Sequence, residues 1–399
     1  MKSKKRLSLY IHIPFCVQKC RYCDFYSAAA TAQEKLQYTE LLCREIRSWG
    51  RILREQYNIY TVFIGGGTPT CLTPECLEKI GAAVRGSFDC QKLAEFTTEA
   101  NPGTVTPEHL AVWQQIGISR VSLGLQSAQN KELQMLGRIH SYEEFLTTYQ
   151  MIRQSGMDQI NIDVMAAIPE QTLESYQDTL EKIVSLKPEH ISSYSLIVEP
   201  GTVFGDWEEK GTLKRVDEDT DRQMYEWTGK YLQQMGYHRY EISNYCRSGM
   251  ECKHNCVYWT GGEYLGLGVN ASSYLDGYRF RVPMSIKSYR SYVDRICQLA
   301  GNESADLQNA IQGMDELEIT DRKAQMEEFM FLGLRMMAGV SEEEFFRKFG
   351  ISMMDVYGDV IKKYQSMDLI SHKNNGRMAL TEKGIDVSNS ILSDFLLSD

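Results

Sequence analysis

Three cysteines lie within eight residues near the start of the chain. They are Cys16, Cys20 and Cys23, in the stretch IPFCVQKCRYCDFY at residues 13–26. Thiolates grouped in this way bind iron–sulfur clusters or zinc. A zinc site that a protein closes by itself uses four ligands, and His12 would be the fourth in a Cys3His site. The C-x3-C-x2-C spacing without a second cysteine pair favours a [4Fe-4S] cluster with three protein ligands and one iron left open for a small molecule.

The cysteines follow the first of six strand-like runs, which alternate with amphipathic helical stretches. The strand-like runs begin at Leu7, Tyr60, Glu95, Arg120, Ile160 and His190, and the helical stretches cover residues 33–57, 107–116, 142–155 and 172–186. Six β-then-α units in a row imply parallel strands, and right-handed crossovers curl such a series toward a barrel. Six units rather than eight predict a partial (βα)6 barrel of the TIM type, open at one side.

Polar and glycine-rich residues gather at the carboxyl ends of the predicted strands. The stretch GGGTPT at residues 65–70 follows the second strand, Glu99 ends the third, Gln126 ends the fourth and Asp163 lies late in the fifth. Barrel enzymes build their sites at this end of the strands. Each of these residues taken alone is compatible with a helix cap or a surface salt bridge, whereas the whole set on one face predicts a site.

Composition limits the classes of function. The chain has 399 residues, of which 43% are hydrophobic, enough for two or three domains with a sizeable core. The net charge of −10 gives no general attraction to phosphate backbones, so we expect no nucleic-acid partner. We also expect no transmembrane segment, because no run of about 18 apolar residues occurs. Eleven cysteines, scattered apart from two local groups, predict a reducing compartment and a cytoplasmic protein.

The first residues, MKSKKRLSLYIHIPFC, superficially resemble a signal peptide. Their apolar part contains His12 and Pro14 and runs into the cysteines without a small-residue cleavage site, so they predict a first β-strand instead.

The pattern of elements divides the chain into four parts. These are a partial barrel at 1–240, an irregular extension at 241–300, a polar linker at 301–320 and a winged-helix-like α+β domain at 321–399. The last part has the order helix, helix, helix, hairpin, helix. Its ten Lys and Arg residues against thirteen Asp and Glu favour an interaction or lid domain over a DNA-binding one.

Two local signals support the elements of the C-terminal part. Ser341 begins a helix as its N-cap, with Glu344 at the capping-box position. The stretch KNNGR at 373–377 predicts a turn between two short strands.

The C-x3-C-x2-C motif after a first β-strand that opens a partial barrel resembles the radical S-adenosylmethionine (radical SAM) family. The resemblance implies that the open iron of the cluster binds the amino and carboxylate groups of S-adenosylmethionine (SAM). It also implies that the cluster delivers one electron, which cleaves the sulfonium and gives a 5′-deoxyadenosyl radical.

Further motifs extend the resemblance over nearly the whole chain, to the oxygen-independent coproporphyrinogen III oxidase-like group. They are YIHIPFC, GGGTPT, EANPG, SLGLQS, LGRIH, YSLIVEPGT, YEISNY, HNCVYW and EFMFLGLR. Within that group the oxidases have a fourth cysteine two residues after the third, where this chain has Phe25. The haem chaperones have the motif H-N-x-x-Y-W, matched here by His254, Asn255, Tyr258 and Trp259. The chain is therefore most similar to the HemW haem chaperones.

The resemblance implies a set of site residues. Three cysteines, Cys16, Cys20 and Cys23, hold the [4Fe-4S] cluster. Nine residues line the SAM site, namely Tyr10, Tyr22, Gly66, Gly67, Thr68, Glu99, Gln126, Arg138 and Asp163. The resemblance assigns no catalytic residue.

The resemblance also implies that the protein binds haem and delivers it to haem-dependent proteins, whose identity it does not give. His254 is the candidate haem ligand, and the flanking Cys252 and Cys256 are alternative thiolate ligands. Residue chemistry alone favours a different interpretation, in which His254 is buried and hydrogen-bonded within a packed loop. The sequence further allows a homodimer and peripheral contact with a membrane.

The chain departs from the family pattern at two places. Near residues 165–170 it reads MAAIPEQT, where the family more often has a Tyr-Gly pair and a glycine after the proline. Ser272 stands where many relatives have histidine, and a serine cannot replace an imidazole as a metal ligand. The stoichiometry and affinity of haem binding are therefore open.

Three functions remain as alternatives. The first is a haem chaperone, the second a coproporphyrinogen III dehydrogenase that decarboxylates propionate side chains, and the third a radical SAM enzyme with another substrate, such as RNA. Phe25 and the H-N-x-x-Y-W match favour the first and argue against coproporphyrinogen III dehydrogenase activity. The motifs are compatible both with cleavage of SAM and with binding alone.

Overall fold

The computed structural model describes residues 4–302, 305–373 and 376–397. Its centre is a set of six parallel strands that pair in chain order. They are β1 (Lys5–Ile13), β2 (Tyr57–Gly66), β3 (Glu95–Ala100), β4 (Arg120–Gln126), β5 (Ile160–Ala166) and β6 (His190–Ser195). All six strands were predicted, four of them from their first residue, and the α/β fold class is confirmed.

Six helices lie between these strands. They are α1 (Ala32–Leu53), α2 (Pro74–Ser87), α3 (Pro107–Ile116), α4 (Asn130–Leu136), α5 (Tyr142–Gln154) and α6 (Leu173–Ser185). Four begin with a reciprocal capping box, in which the hydroxyl of Thr31, Thr106, Ser141 or Thr172 accepts a hydrogen bond from the N3 backbone. Two of the helices, α2 and α4, were not predicted, and the helix predicted at 33–57 ends at Leu53 because β2 begins four residues later.

The stretch from 200 to 320 is more regular than the sequence predicted. It contains α7 (Val203–Glu209), α8 (Glu218–Gln234), β7 (His238–Arg239), β8 (Asn244–Cys246), α9 (Lys253–Trp259), β9 (Tyr264–Leu267), β10 (Ser272–Leu275), β11 (Tyr278–Arg281), α10 (Ile286–Leu299), α11 (Leu307–Ile311) and β12 (Asp315–Ile319). The extension expected to be irregular therefore supplies strands to the main sheet. The expected linker at 301–320 holds a helix and a strand that pairs with β11.

These short strands enlarge the sheet to twelve strands. Its order is β12-β11-β10-β9-β1-β2-β3-β4-β5-β6-β8-β7. β9 pairs with β1 in parallel, and β8 pairs with β6 in antiparallel orientation. Strands of two to five residues are too short to show a clear period-two pattern, and their partners are distant in sequence, which explains why sequence reasoning missed them.

The C-terminal part is winged-helix-like, as predicted. It contains α12 (Arg322–Gly333), β13 (Val340–Ser341), α13 (Glu342–Phe349), α14 (Met353–Ser366), β14 (Ile370–Lys373), β15 (Arg377–Leu380), α15 (Glu382–Asp386) and α16 (Ser388–Ser393). Its three strands form an antiparallel sheet in the order β13-β15-β14. Ser341 caps α13, since its hydroxyl accepts a hydrogen bond from the Glu344 N–H at 3.2 Å. The turn predicted at 373–377 includes residues 374 and 375, which lie outside the described residues.

The two largest of three hydrophobic clusters among the described residues support these parts. The larger core joins the sheet to its surrounding helices, and the smaller one lies within residues 330–395. The two parts meet where the Arg335 guanidinium lies 4.6 Å from the ring centre of Trp259 and where Met337 N–H donates to the Tyr240 carbonyl at 2.9 Å. Among the helices within the described ranges, none is both long and apolar enough to span a bilayer.

Candidate functional site

The three cysteines of the C-x3-C-x2-C motif lie on the loop between β1 and α1. All three are half-buried free thiols. The loop is held by backbone hydrogen bonds from Cys16 N–H to the Ala28 carbonyl at 3.1 Å and from Arg21 N–H to the Leu136 carbonyl at 3.0 Å. Burial, followed by the neighbouring thiols, raises the pKa of Cys23 to about 11. A metal that replaces the thiol proton would remove the cost of an unpaired buried thiolate.

The cysteines face one cavity of about 160 Å³, called here the cysteine cavity. Of the nine residues implied for the SAM site, eight also line it: Tyr22, Gly66, Gly67, Thr68, Glu99, Gln126, Arg138 and Asp163. These residues come from the β1–α1 loop, from the end of β2 and the turn after it, from β3, β4 and β5, and from the loop between α4 and α5. Since parallel strands direct their carboxyl ends to the same edge, the sheet brings them together as the sequence predicted.

The glycine-rich turn after β2 packs directly on the cysteine loop. Gly67 N–H donates to the Ile13 carbonyl at 2.8 Å, and Thr68 N–H donates to the Phe15 carbonyl at 2.7 Å. A Cβ on Gly67 would lie 2.6 Å from the Phe15 carbonyl oxygen. Only glycine permits this approach, so the turn fixes the position of the loop that carries the thiols. The Thr68 hydroxyl lies 3.5 Å from the Cys16 sulfur.

Two carboxyl groups face the cysteine cavity. Burial, with a further contribution from the negative charge of Asp163, raises the pKa of Glu99 to about 8. Burial also raises the pKa of Asp163, although the Asn161 side chain donates a hydrogen bond to it at 2.7 Å. Asp163 lies in the middle of β5 rather than late in it. A cationic ligand between the two carboxyl groups would favour their ionised forms.

Arg138 brings a buried positive charge to the lining of the same cavity. Its Nη2 donates to the Gly124 carbonyl at 2.5 Å and also to Asn101 Oδ1, and its Nη1 lies 3.6 Å from the Cys20 sulfur. The charge therefore acts on a cluster cysteine. The Nε of Arg138 is buried without a hydrogen-bond partner among the described residues, so a ligand carboxylate has a donor available. Gln126, at a left-handed bend with φ 75°, accepts a hydrogen bond from Tyr194 at 3.2 Å.

Tyr10 and His12 lie beside this cavity on β1. The Tyr10 hydroxyl lies 3.0 Å from His12 Nδ1, and His12 Nε2 lies 2.9 Å from the Tyr26 carbonyl oxygen. Both ring nitrogens of His12 are thus engaged by protein groups, and burial lowers its pKa. This arrangement argues against His12 as the fourth ligand of a zinc site.

His254, the candidate haem ligand, lies inside the protein on α9. Its Nδ1 is 2.8 Å from Thr61 Oγ1, its Nε2 is 2.9 Å from the Tyr258 hydroxyl, and its ring stacks on Phe63 at 5.1 Å. Burial lowers its pKa to about 3, so the imidazole is neutral. This is the buried, hydrogen-bonded arrangement that residue chemistry alone favoured. Ligation of haem iron by His254 requires one of these two hydrogen bonds to break.

Glu95 anchors the segment that carries His254. Its carboxylate accepts hydrogen bonds from the backbone N–H groups of Lys253 and His254, both at 3.0 Å, and lies 3.5 Å from the Cys252 sulfur. Burial raises the pKa of Cys256 to about 12 and also raises that of Cys252. Ser272 is exposed at the start of β10.

A larger cavity of about 490 Å³ continues from the cysteine cavity along the inner face of the sheet; we call it the barrel cavity. Both cavities share Tyr22, Cys23, Phe25, Glu99, Ser122, Asp163 and Tyr194. Beyond the shared wall lie polar residues that sequence reasoning missed, namely Arg120, Asn161, His190, Ser192 and Asn244, together with Asn255 of the H-N-x-x-Y-W motif. Alternate residues of β4, β5 and β6 point to the inner face of the sheet. Polar residues at these alternate positions are the sequence signal that could have predicted this part of the cavity wall.

The chain matches two family models. Residues 10–183 match the radical SAM superfamily, and residues 320–387 match the HemN C-terminal domain. Membership of the radical SAM superfamily implies a [4Fe-4S] cluster and SAM, and the three thiols that converge on the cysteine cavity are a donor set that fits such a cluster.

The fold resembles that of a solved enzyme. Coproporphyrinogen III oxidase (HemN) from Escherichia coli superposes with a TM-score of 0.82 and 20% sequence identity, covering 98% of this chain and 90% of that one. At this identity the likeness shows the fold alone.

Curated relatives are similar over the full length. The heme chaperone HemW of Lactococcus lactis is 36% identical over 396 residues, which cover 99% of each chain. The heme chaperone HemW of Bacillus subtilis is 36% identical over 394 residues, covering 98% of this chain and 99% of that one. The chain therefore belongs to the HemW heme chaperone family of the radical SAM superfamily.

Proposed function

We propose that this protein is a haem chaperone that holds a [4Fe-4S] cluster and SAM in its cysteine cavity and delivers haem to haem-dependent proteins. The observation that carries the proposal is the convergence of Cys16, Cys20 and Cys23 with eight SAM-type residues on one cavity, in a chain similar over its full length to HemW heme chaperones.

Cys16, Cys20 and Cys23 would hold the cluster through their thiolates. When bound, the cluster supplies an open iron for SAM and a single electron. The guanidinium of Arg138 lies 3.6 Å from the Cys20 sulfur, so its positive charge faces the thiolate that would bind the cluster. Thr68 and the glycines before it hold the loop in place.

Glu99 and Asp163 would bind the positively charged groups and the ribose hydroxyls of SAM. Two buried carboxyl groups with raised pKa values repel each other when both are ionised, and a sulfonium or ammonium group between them offsets that repulsion. The Nε of Arg138, which has no hydrogen-bond partner among the described residues, would donate to the carboxylate of SAM. Tyr10, Tyr22 and Gln126 complete the proposed site.

Haem binding is proposed for the segment 252–259, with His254 as the iron ligand. A neutral imidazole is the form that ligates iron, and burial keeps His254 neutral. Because both of its nitrogens are hydrogen-bonded, the Tyr258 hydroxyl must leave Nε2 before iron can bind there. Cys252 and Cys256 remain the alternative thiolate ligands; burial raises the pKa of both thiols, so iron would have to take the place of the thiol proton.

A second candidate function is radical chemistry on a small polar molecule in the barrel cavity. Two buried oxygens in its wall, Thr97 Oγ1 and Asn244 Oδ1, have no hydrogen-bond partner within the described part of the chain. Such groups favour a ligand or water that satisfies them. Coproporphyrinogen III is not favoured as the substrate, because this chain has Phe25 at the position of the oxidases' fourth cysteine. The side chain of Phe25 is 60% exposed and lines the barrel cavity.

Anaerobic reconstitution with iron and sulfide, followed by three assays, tests the proposal. We expect saturable haem binding, transfer of that haem to an apo-haemoprotein, and no consumption of coproporphyrinogen III. Conversion of coproporphyrinogen III to protoporphyrinogen at turnover rates would contradict the chaperone proposal and would show that the protein is a coproporphyrinogen III dehydrogenase. Absence of saturable haem binding, together with release of 5′-deoxyadenosine, would favour the second candidate.

A further inference from the structure

A group of three metal-ligating side chains lies outside the cavities described above, at the β7–β8 end of the sheet. His238 and Cys246 face each other as partners in the antiparallel β7–β8 pair. A turn through Gly249, with φ 79°, brings Glu251 back onto the same spot. One ligand atom from each of the three side chains lies within 4.8 Å of the other two.

The distances match those of a tetrahedral zinc site. His238 Nε2 lies 3.5 Å from the Cys246 sulfur and 2.9 Å from Glu251 Oε1. Zinc bonds of about 2.3 Å to sulfur and about 2.0 Å to nitrogen, at a tetrahedral angle, separate those two atoms by about 3.5 Å. The distance between His238 Nε2 and Glu251 Oε1 would have to increase from 2.9 Å to about 3.3 Å. A carboxylate that is 36% exposed has the freedom for that movement.

The ligand types point to the same class of ion. Imidazole, thiolate and carboxylate together are ligands of zinc, whereas a thiolate disfavours magnesium and calcium. Cys246 is fully buried, and burial raises its pKa to about 12, so an ion would have to take the place of the thiol proton. A hydrogen bond from the Met250 backbone favours the thiolate, as outer-shell donors do at metal sites.

An ion can reach the group from solvent, because the side chain of His238 is 45% exposed. A surface pair of histidine and glutamate alone would not account for a buried thiol beneath the same imidazole nitrogen. We propose that His238, Cys246 and Glu251 bind a zinc ion, with the fourth position open to water.

The proposed ion has a structural consequence for the haem segment. It would join the β7–β8 hairpin to Glu251, two residues before α9 begins. The segment 252–259 would thus be fixed at its start by zinc, in addition to the hydrogen bonds that the backbone N–H groups of Lys253 and His254 donate to Glu95. This inference does not depend on haem or SAM binding.

The zinc and iron contents of the reconstituted protein test the proposal. Reconstitution fills Cys16, Cys20 and Cys23 with the [4Fe-4S] cluster, so that these cysteines do not bind the added zinc. After equilibration with zinc at a fixed free concentration, we expect one zinc ion per chain. His238→Ala, Cys246→Ser and Glu251→Gln should each weaken zinc binding by at least about tenfold and leave the iron content unchanged. The matched control is His372→Ala, since His372 is 44% exposed and lies 3.4 Å from Glu342.

X-ray absorption at the zinc edge gives the decisive reading. We expect one sulfur ligand in the wild type and none in Cys246→Ser. Full zinc binding in His238→Ala and Glu251→Gln would overturn the proposal even if the buried Cys246→Ser variant failed to fold. A site with three or four sulfur ligands, lost only when Cys16, Cys20 and Cys23 are replaced, would also overturn it.

Discussion

Tyr258 places its hydroxyl 2.9 Å from Nε2 of His254, one helical turn earlier on α9. The other ring nitrogen of His254 lies 2.8 Å from Thr61. An iron atom needs a free nitrogen lone pair, so Tyr258 would compete with the iron of the proposed haem for Nε2.

We predict that Tyr258→Phe tightens haem binding about two- to tenfold. The substitution removes a hydrogen bond with a net contribution of about 0.5–1.5 kcal/mol, which no longer has to be broken before iron binds. Haem titration of the reconstituted protein, followed by absorbance, measures the effect. Tyr264→Phe is the matched control, because its ring packs on Tyr258 at a centroid distance of 4.7 Å. Equal affinity in Tyr258→Phe and the wild type would mean that Nε2 does not bind iron.

Removal of the imidazole itself should act in the opposite direction. His254→Ala should shift the Soret band and weaken haem affinity while the iron–sulfur cluster stays intact, because an axial ligand sets the electronic state of the iron. Cys252→Ala and Cys256→Ala serve as controls. If only a cysteine variant changes the spectrum, that cysteine is the ligand.

Glu99 should make the stability of the SAM-free protein depend on pH. Its pKa is about 8 in the folded protein against an ordinary value of 4.5, so the folded state keeps a proton that the unfolded state releases between these values. The contribution of protonated Glu99 to the free energy of unfolding is complete below pH 4.5 and is lost as the pH rises to 8. This loss lowers the free energy of unfolding by an amount on the order of a few kcal/mol.

Glu99→Gln removes this ionisable group and should flatten the stability profile between pH 5 and 8, as measured by urea denaturation at several pH values. Glu55→Gln, which changes a carboxylate that is 84% exposed, should leave the slope as it is in the wild type. A Glu99→Gln profile as steep as the wild-type profile would show that Glu99 does not carry the raised pKa.

Two residues that are not glycine adopt left-handed backbone conformations after β5. Ala167 has φ 55° and Glu170 has φ 65°, a region that costs a residue with a Cβ about 1–2 kcal/mol. Ala167→Gly should therefore stabilise the protein by about 0.5–1 kcal/mol, after the entropic cost of glycine is subtracted. Ala166→Gly, in β5, should destabilise it by about 0.5–1 kcal/mol. Denaturant unfolding of both variants checks the sign, and destabilisation by Ala167→Gly would contradict the strain argument.

Sequence reasoning succeeded where one local pattern determines the structure. The runs at 120–126 and 160–166 are long enough to show a buried strand, and parallel order then places Glu99, Gln126 and Asp163 at one edge. It failed where partners come from distant parts of the chain. The contacts of His254 with Thr61, and the zinc-type group at His238, depend on how the strands pair, which no local spacing reveals.

We propose that three cysteines hold a [4Fe-4S] cluster and leave one iron for SAM. This proposal can be tested with the Mössbauer spectrum of anaerobically reconstituted, ⁵⁷Fe-labelled protein, recorded with and without SAM. We predict that SAM shifts the signal of one iron in four. The Cys71→Ala variant is the control and should show the same SAM-dependent shift as the wild type, because Cys71 is a half-buried thiol close to Cys16 but outside the motif. Alanine at Cys16, Cys20 or Cys23 should remove the signal. A spectrum that SAM leaves unchanged, or a protein that binds zinc instead of iron at these cysteines, would contradict the account.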